Sequence, residues 1–554
     1  MSDLGKAAAL TGAELIARKL RDHDVRHAFG IVSIHNMPIL DAINRLGFTQ
    51  MIDSRHECAA AHSADGYARA TGKLGVAIAS TGPGTTNTVT GLYEAAYANS
   101  RVLVITGQAE TRYYGKGAGY VHEAENQLPM LRTVARRVES PTTAAQIGQL
   151  FDAVVSDMSS GRQQPGALEI PIDLQYAVAA QEGAGQDSEV TPATPVNPTL
   201  QQDQLQRAAD KLRGASRRVL LVGGGAMQAG AQVVALAEAL GAPILTTPNG
   251  RGAVSEEHEL CVGNLYQVPD LLQAAQDADV TLAIGTRFQV GVDARNHALV
   301  PPGELIHIDI DNNVLDLVHR ADVAVQGDAL VAVTALHELL VGANPNDAQF
   351  NAGVLQAGDD VKGKMRERLG PDFQGICTAI SEVMAPDTVL VRDNTIAAYF
   401  MANQLIPIRS PRCSISPTSG AIGPGLPLGI GAAAGTGKRT IVIHGDGGFM
   451  FHATELATAV QHELPVTVCI FNDGGYGILR FLQSSRFEGR INETDLGFMD
   501  FTLMAKSMGC AGERVDSVAA FEAALANAAA SKGPYVVDID VRKMTLIGGM
   551  RLPE

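Results

Sequence analysis

The residues best suited to chemistry lie between Gly445 and Gly477. Gly445-Asp446-Gly447-Gly448 and Asn472-Asp473-Gly474-Gly475-Tyr476-Gly477 are two glycine turns, and their aspartates are 27 residues apart. Glycines let backbone N–H groups approach phosphate oxygens, and an aspartate beside them is a hard oxygen ligand. The pair therefore suits a diphosphate bridged to the protein by a divalent cation. Asp446, Asp473 and the Gly475 carbonyl, with diphosphate oxygens and a water, fill the octahedral shell of Mg²⁺. Either turn alone reads as an ordinary tight turn. The two together, at this spacing, favour the site.

Such turns need a parallel sheet behind them. Thr440–His444 and Val466–Phe471 read as buried strands, with a helix expected over Phe449–His462 between them. Ligands of open α/β sheets bind at the carboxyl ends of the strands, where both turns fall. The same alternation of strand and helix runs through the whole chain, the pattern of an α/β protein with parallel sheets flanked by helices. Strands are expected at 75–81, 102–106 and 168–173, then at 218–222, 243–247, 280–284 and 305–310, then at 389–392 and 535–541. Residues 182–200, rich in Gly, Pro, Thr and Asp, read as a linker, and 341–349 as a second boundary. With 554 residues, too many for one core, three domains are expected at 1–185, 195–345 and 355–554.

Composition excludes more than it proposes. The net charge of −16 argues against a nucleic-acid partner. No stretch approaches a membrane span and the first residues carry no signal-peptide pattern, so a cytoplasmic enzyme is expected. The six cysteines form no CxxC pair, which points to buried free thiols rather than disulfides or zinc.

The paired turns resemble the thiamin diphosphate signature, GDG followed by an Asn-Asn or Asn-Asp turn, with Asp473 where an asparagine is usual. Ser54-Arg55-His56-Glu57 leading to Asp65-Gly66-Tyr67-Ala68-Arg69 resembles the pyrimidine-domain helix of the acetolactate synthase and pyruvate decarboxylase superfamily. The likeness spans nearly the full chain and implies the domain order pyrimidine, central, diphosphate. It implies thiamin diphosphate and Mg²⁺ as cofactors. It assigns Glu57 the hydrogen bond to N1′ of the aminopyrimidine that favours removal of the thiazolium C2 proton. Read alone, Glu57 is better explained as an N-terminal charge complementing a helix dipole, and it is the resemblance that reverses this.

The resemblance also places Gly82 and Asn87, in Thr81-Gly82-Pro83-Gly84-Thr85-Thr86-Asn87, at the cofactor. It makes Ile422 the wedge that keeps the cofactor bent and the Gly420 carbonyl the acceptor for the 4′-amino group. Thr395, Tyr476, Gly477 and Ile478 are further expected pocket residues.

The reaction is less defined. His35, in Ile34-His35-Asn36, matches the position of an active-site histidine in benzaldehyde lyase and cyclohexanedione hydrolase, and reads otherwise as a core histidine. His122, in Val121-His122-Glu123, lies between the Phe-Gln-Glu of acetolactate synthases and the His pair of decarboxylases. Gln108, at a strand end, is a third candidate. Leu479 stands where pyruvate decarboxylases carry a catalytic glutamate. Arg480 beside it reads either as a substrate-carboxylate partner or as a solvated surface residue.

The resemblance therefore implies a carboligase or lyase acting on 2-oxo acids or 2-hydroxyketones. A non-oxidative 2-oxo acid decarboxylase is the alternative, and a flavin-linked oxidase a more distant one. Gly223-Gly224-Gly225 in the second domain is no dinucleotide fingerprint, so FAD is possible there without a motif to support it. The family builds its site between subunits, which implies a homodimer at least, with a homotetramer common.

Overall fold

The computed structural model describes residues 10–179, 197–289 and 300–553. Within them the chain forms three six-stranded sheets, and every strand pairing is parallel. The first sheet holds β1 (His27–Gly30), β2 (Gln50–Asp53), β3 (Gly75–Ala79), β4 (Val102–Gln108), β5 (Arg137–Glu139) and β6 (Gly166–Pro171). The second holds β7 (Arg218–Val222), β8 (Ile244–Thr246), β9 (Cys261–Gly263), β10 (Val280–Ile284), β11 (Glu304–Asp309) and β12 (Val323–Gln326). The third holds β13 (Val389–Arg392), β14 (Ser414–Ile415), β15 (Thr440–Gly445), β16 (Val466–Asn472), β17 (Ala511–Val515) and β18 (Tyr535–Asp540). The central strands are continuous apolar runs because helices cover both faces.

The spatial orders are β2-β1-β3-β4-β6-β5, β12-β11-β10-β7-β8-β9 and β14-β13-β15-β16-β18-β17. The first and third sheets thus share one topology, a kinship no periodicity in the sequence discloses. The central sheet has the doubly wound order 3-2-1-4-5-6, with its crossover between β7 and β10.

One core joins the first and third sheets. Ala60, Ala64 and Tyr67 of the helix Glu57–Thr71 pack with Leu426, Leu428 and Ile430 of the helix Gly425–Thr436. Their backbones touch: a Cβ on Gly431 would lie 1.8 Å from the Ser63 carbonyl oxygen. Small residues at Ala59–Ala61 and at Gly429, Gly431 and Ala432–Ala434 make that approach possible.

One expectation about helices needs revision. The helix expected over Phe449–His462 is two helices, Asp446–Phe449 and Glu455–Gln461. Between them the chain turns so that His452 Nδ1 donates to the Gly423 carbonyl at 3.0 Å. The stretch 341–349 runs into a long helix, Ala348–Val383, kinked at Gly370-Pro371. Val354 and Val361, before the kink, pack with the central sheet, and Phe373 and Ile380, after it, pack with the third. The linker expected at 182–200 lies, up to residue 196, outside the described residues. All six cysteines are free, five of them buried.

Candidate active site

Two clusters gather at the carboxyl ends of the first and third sheets. In the third, β15 delivers Asp446 and β16 delivers Asp473, and both are buried. Each presents a buried Oδ1 with no hydrogen-bond donor. Burial pushes the Asp446 carboxyl well above the usual carboxylate range. Burial likewise raises the Asp473 carboxyl, and the neighbouring Asp446 charge adds to the rise. Two buried carboxylates facing each other with unpartnered oxygens call for a cation. Among the described residues no group of three His, Cys, Asp or Glu side chains could hold a metal. A cation here would have to draw its remaining ligands from backbone carbonyls and a bound anion, which a Mg²⁺–diphosphate pair would fit.

The glycines leave that space open. A Cβ on Gly445 would meet Thr395 Oγ1 at 2.8 Å, one on Gly447 the Tyr476 ring at 2.8 Å, and one on Gly477 the Asp473 carboxylate at 1.8 Å. Gly448 is buried beside Asp393. Gly475 is buried and bridges to Asp495. Ile478 is half-buried against the core, and Leu479 is 44% exposed. Arg480 fits neither expectation. It is buried, its Nε donates to Asp495 at 3.0 Å and its Nη1 to the Arg551 carbonyl at 3.1 Å, and it lies 3.8 Å from Asp473. It buttresses the turn that carries Asp473.

The loop carrying Gly420 and Ile422 is held by a residue that sequence reasoning passed over. Asp393, just beyond β13, accepts from Gly423 N at 3.0 Å and Gly425 N at 2.7 Å, and His444 stands 3.5 Å away. Asn394 donates to the Ala421 carbonyl at 2.6 Å. Gly420 is exposed with φ +85°, and Ile422 is half-buried between these anchors. The signal was available: Asp393-Asn394-Thr395 is a polar run at a strand's carboxyl end. Glu94 was also missed. Fully buried, it crosses from the first unit to accept from Thr418 N at 2.6 Å and Ser419 N at 3.0 Å.

In the first sheet the structure brings together Glu57, Gly82, Asn87, His35, His122 and Gln108. Glu57 is the first residue of its helix, half-buried, and its Oε2 accepts from Asn87 Nδ2 at 2.9 Å. Gly82 caps the helix Pro83–Ala98 with φ +58°, and a Cβ there would lie 2.5 Å from the His122 carbonyl oxygen. The His35 and His122 rings are 5.5 Å apart. His35 is buried with Nδ1 unpartnered, and burial, then His122, lowers its pKa. His122 is exposed, with φ +65°.

Gln108 is fully buried. Its Nε2 donates to Glu169 at 3.0 Å and its Oε1 accepts from Ala109 N at 2.8 Å. Gln127, another missed residue, donates to the same Glu169 oxygen at 2.7 Å and accepts from Gly82 N at 2.9 Å. The two amides thus fix the loop behind the histidines. Among the described residues, no hydrogen bond joins Glu57 to the aspartate cluster of the same chain.

A cavity of about 640 Å³ opens where the three units meet, at the crossover of the central sheet. There Gly225 N donates to the Gly285 carbonyl at 2.9 Å, and Arg69, Arg101, Arg162 and Arg287 border the space.

These features define a thiamin diphosphate-binding enzyme, and comparison with known proteins agrees. The chain matches the thiamine pyrophosphate enzymes in three consecutive parts. These are the N-terminal TPP binding domain over residues 10–130, the central domain over 205–336 and the C-terminal TPP binding domain over 396–539. It belongs to that family. It is 31% identical to the "Probable 2-ketoarginine decarboxylase" of Pseudomonas aeruginosa, over 91% of this chain and 89% of that protein. It is 30% identical to the acetolactate synthase isozyme 2 large subunit of Escherichia coli, over 97% and 96%. It is 29% identical to the "Probable acetolactate synthase large subunit" of Methanocaldococcus jannaschii, over 96% and 92%. No helix among the described residues is long and apolar enough to cross a membrane.

Proposed function

We propose that this enzyme makes or breaks C–C bonds next to the carbonyl of 2-oxo acids or 2-hydroxyketones, and that it retains the carbon fragment for a second carbonyl acceptor. The observation that carries this reading is Leu479, half-exposed in the first turn of the helix Gly477–Arg486 that follows the Asp473 turn, where a simple decarboxylase would need a carboxylic acid to protonate its intermediate. The acetolactate synthase relatives favour the same reading. A plain decarboxylase is the second reading, favoured by the 2-ketoarginine decarboxylase relative.

When bound, thiamin diphosphate supplies a C2 carbanion nucleophile and then an electron sink for the electron pair freed by C–C cleavage. Asp446, Asp473 and the Gly475 carbonyl would hold Mg²⁺, which would in turn anchor the diphosphate. Gly445, Gly447, Gly448, Thr395, Tyr476 and Gly477 shape the space for it. Glu57, whose carboxylate is steadied by Asn87, would be the group that shares a proton with the aminopyrimidine. Ile422 and the Gly420 carbonyl set the cofactor's conformation, held in turn by Asp393. His35 and His122 move protons at the substrate oxygen, and Gln108 keeps their loop in place.

Glu57 and the aspartates form separate clusters in one chain, and apolar side chains beside both are exposed: Val32, Ile34 and Val121 near the histidines, Phe451, Leu479 and Leu496 near the metal turn. This supports a homodimer that completes each site from two chains, with a tetramer as a further assembly. The arginine-bordered cavity suits an anionic nucleotide such as FAD, and absorbance near 450 nm in the purified protein tests for the flavin.

The deciding experiment is product analysis with thiamin diphosphate, Mg²⁺ and a panel of 2-oxo acids and 2-hydroxyketones. Acyloin or acetohydroxy acid products are expected. Aldehyde as the sole product would overturn the carboligase reading in favour of the decarboxylase. Glu57→Gln should abolish turnover in either case.

A further inference from the structure

Glu57 stands at the very start of its helix, so the backbone of residues 54–56 decides where its carboxylate begins. That backbone is gripped from the third unit of the same chain. Glu455 Oε1 accepts from Arg55 N at 2.9 Å and from His56 N at 3.0 Å, while its Oε2 accepts from Thr458 Oγ1 at 2.7 Å.

The grip extends along one face of the helix Glu455–Gln461. Thr458 Oγ1 reaches the Asp53 carbonyl at 3.1 Å, Gln461 Nε2 donates to Asp53 Oδ2 at 2.9 Å, and His462 Nε2 accepts from Asp53 N at 3.0 Å. The spacing of 455, 458, 461 and 462 brings all four side chains to the same strand end. Arg55 turns its guanidinium to the Asp53 carbonyl and to Gln461, at 2.6 and 2.7 Å, rather than pairing with Glu455.

Glu455 is only 1% exposed, and burial raises its pKa. A carboxylate buried without an ion-pair partner is costly. Here its oxygens are committed to the main chain immediately before Glu57. The helix that carries it lies within the segment linking Asp446 to Asp473.

From this geometry we infer that Glu455 is a positioning residue for Glu57. It fixes the main chain from which Glu57 projects, as Asn87 fixes the carboxylate itself. The inference rests on the reading of Glu57 as the group that activates the cofactor.

The test compares the wild type with E57Q, E455A and E455Q in two measurements. One is amide hydrogen exchange of the 53–58 segment in the cofactor-free protein. The other is deuterium exchange at C2 of thiamin diphosphate bound with Mg²⁺. E455A should speed amide exchange at residues 55 and 56 by tenfold or more and slow C2 exchange by tenfold or more. E455Q should stay close to wild type in both, because a glutamine oxygen accepts the same two N–H groups and its amide can donate to Thr458.

A lowered melting temperature in E455A with C2 exchange at the wild-type rate would make Glu455 merely structural and overturn the inference. If E57Q itself exchanged at the wild-type rate, the reading of Glu57 would fail first. Should E455A not fold, E455D, one methylene short of both N–H groups, must move the two rates in the same directions.

Discussion

Gly66 lies against Leu428 so closely that a Cβ on it would stand 2.1 Å from the Leu428 carbonyl oxygen. This contact, at the centre of the helix pair joining the first and third sheets, is backbone against backbone and cannot be relieved by a rotamer change. Gly66→Ala must push the helices apart or distort one of them. A loss of about 3 kcal/mol or more is expected, the upper end for an overpacked core. Thermal melting of the purified variant checks this. A melt within a degree of wild type would mean the pair can separate freely.

Asn87→Ala removes the donor that, among the described residues, holds the Glu57 carboxylate. A hydrogen bond to a charged group contributes about 1.5–3 kcal/mol, so kcat should fall by roughly ten- to a hundredfold. Affinity for thiamin diphosphate, measured by calorimetry, should change far less, because the diphosphate is held elsewhere. Equal losses in both would place Asn87 in binding rather than in activation.

The two histidines should separate by environment. His35 is buried with a depressed pKa, whereas His122 is exposed. Replacing a general acid–base group typically costs 10²–10⁴-fold in rate. His35→Gln and His122→Gln should each lower kcat/KM within about that range. In the wild type, the limb of the pH–rate profile governed by His35 should lie below about pH 6.5. If both variants retained full activity, proton transfer must run through other groups.

His62, on the Glu57 helix, predicts how stability responds to acid. It is fully buried beside His452, with ring centroids 5.8 Å apart, and burial pushes its pKa down to about 3. Above the unfolded-state value of about 6.5 the imidazole is neutral in both states and imposes no penalty. As pH falls through that value the unfolded chain takes up a proton that the folded one refuses. Stability should therefore decline between about pH 6.5 and 3, by about 1.4 kcal/mol per pH unit for this one group. His62→Phe should flatten the slope of melting temperature against pH over that window. An unchanged slope would assign the acid sensitivity to other groups.

Leu479→Glu restores a carboxylic acid where plain decarboxylases carry one. Leu479 is half-exposed, so the change should leave folding intact. The expected outcome is a larger fraction of free aldehyde among the products from a 2-oxo acid. An unchanged product ratio would separate Leu479 from the fate of the carbon fragment.

The central elements of the fold were legible because they are local. Arg218–Val222, Val280–Ile284 and Val389–Arg392 run as strands over the spans their apolar pattern implies. The short edge strands β5, β9 and β14 were not legible, since two or three residues carry no periodicity. The break between Phe449 and Glu455 was hidden for a different reason. His452 leaves the helical path for the Gly423 carbonyl, a partner 29 residues away.

By itself the sequence determined the glycine–aspartate turns, the glutamate at a helix start and hence the cofactor class. Each of these depends on a few neighbouring residues and on what a missing Cβ permits. Only the tertiary structure decided what holds them. Asp393 serves the Ile422 loop, Glu94 crosses to Ser419, Glu455 grips the main chain before Glu57 across 399 residues, and Arg480 is committed to Asp495. A buried polar group must find a partner, but which partner depends on where the sheets bring the chain, and no local pattern encodes that.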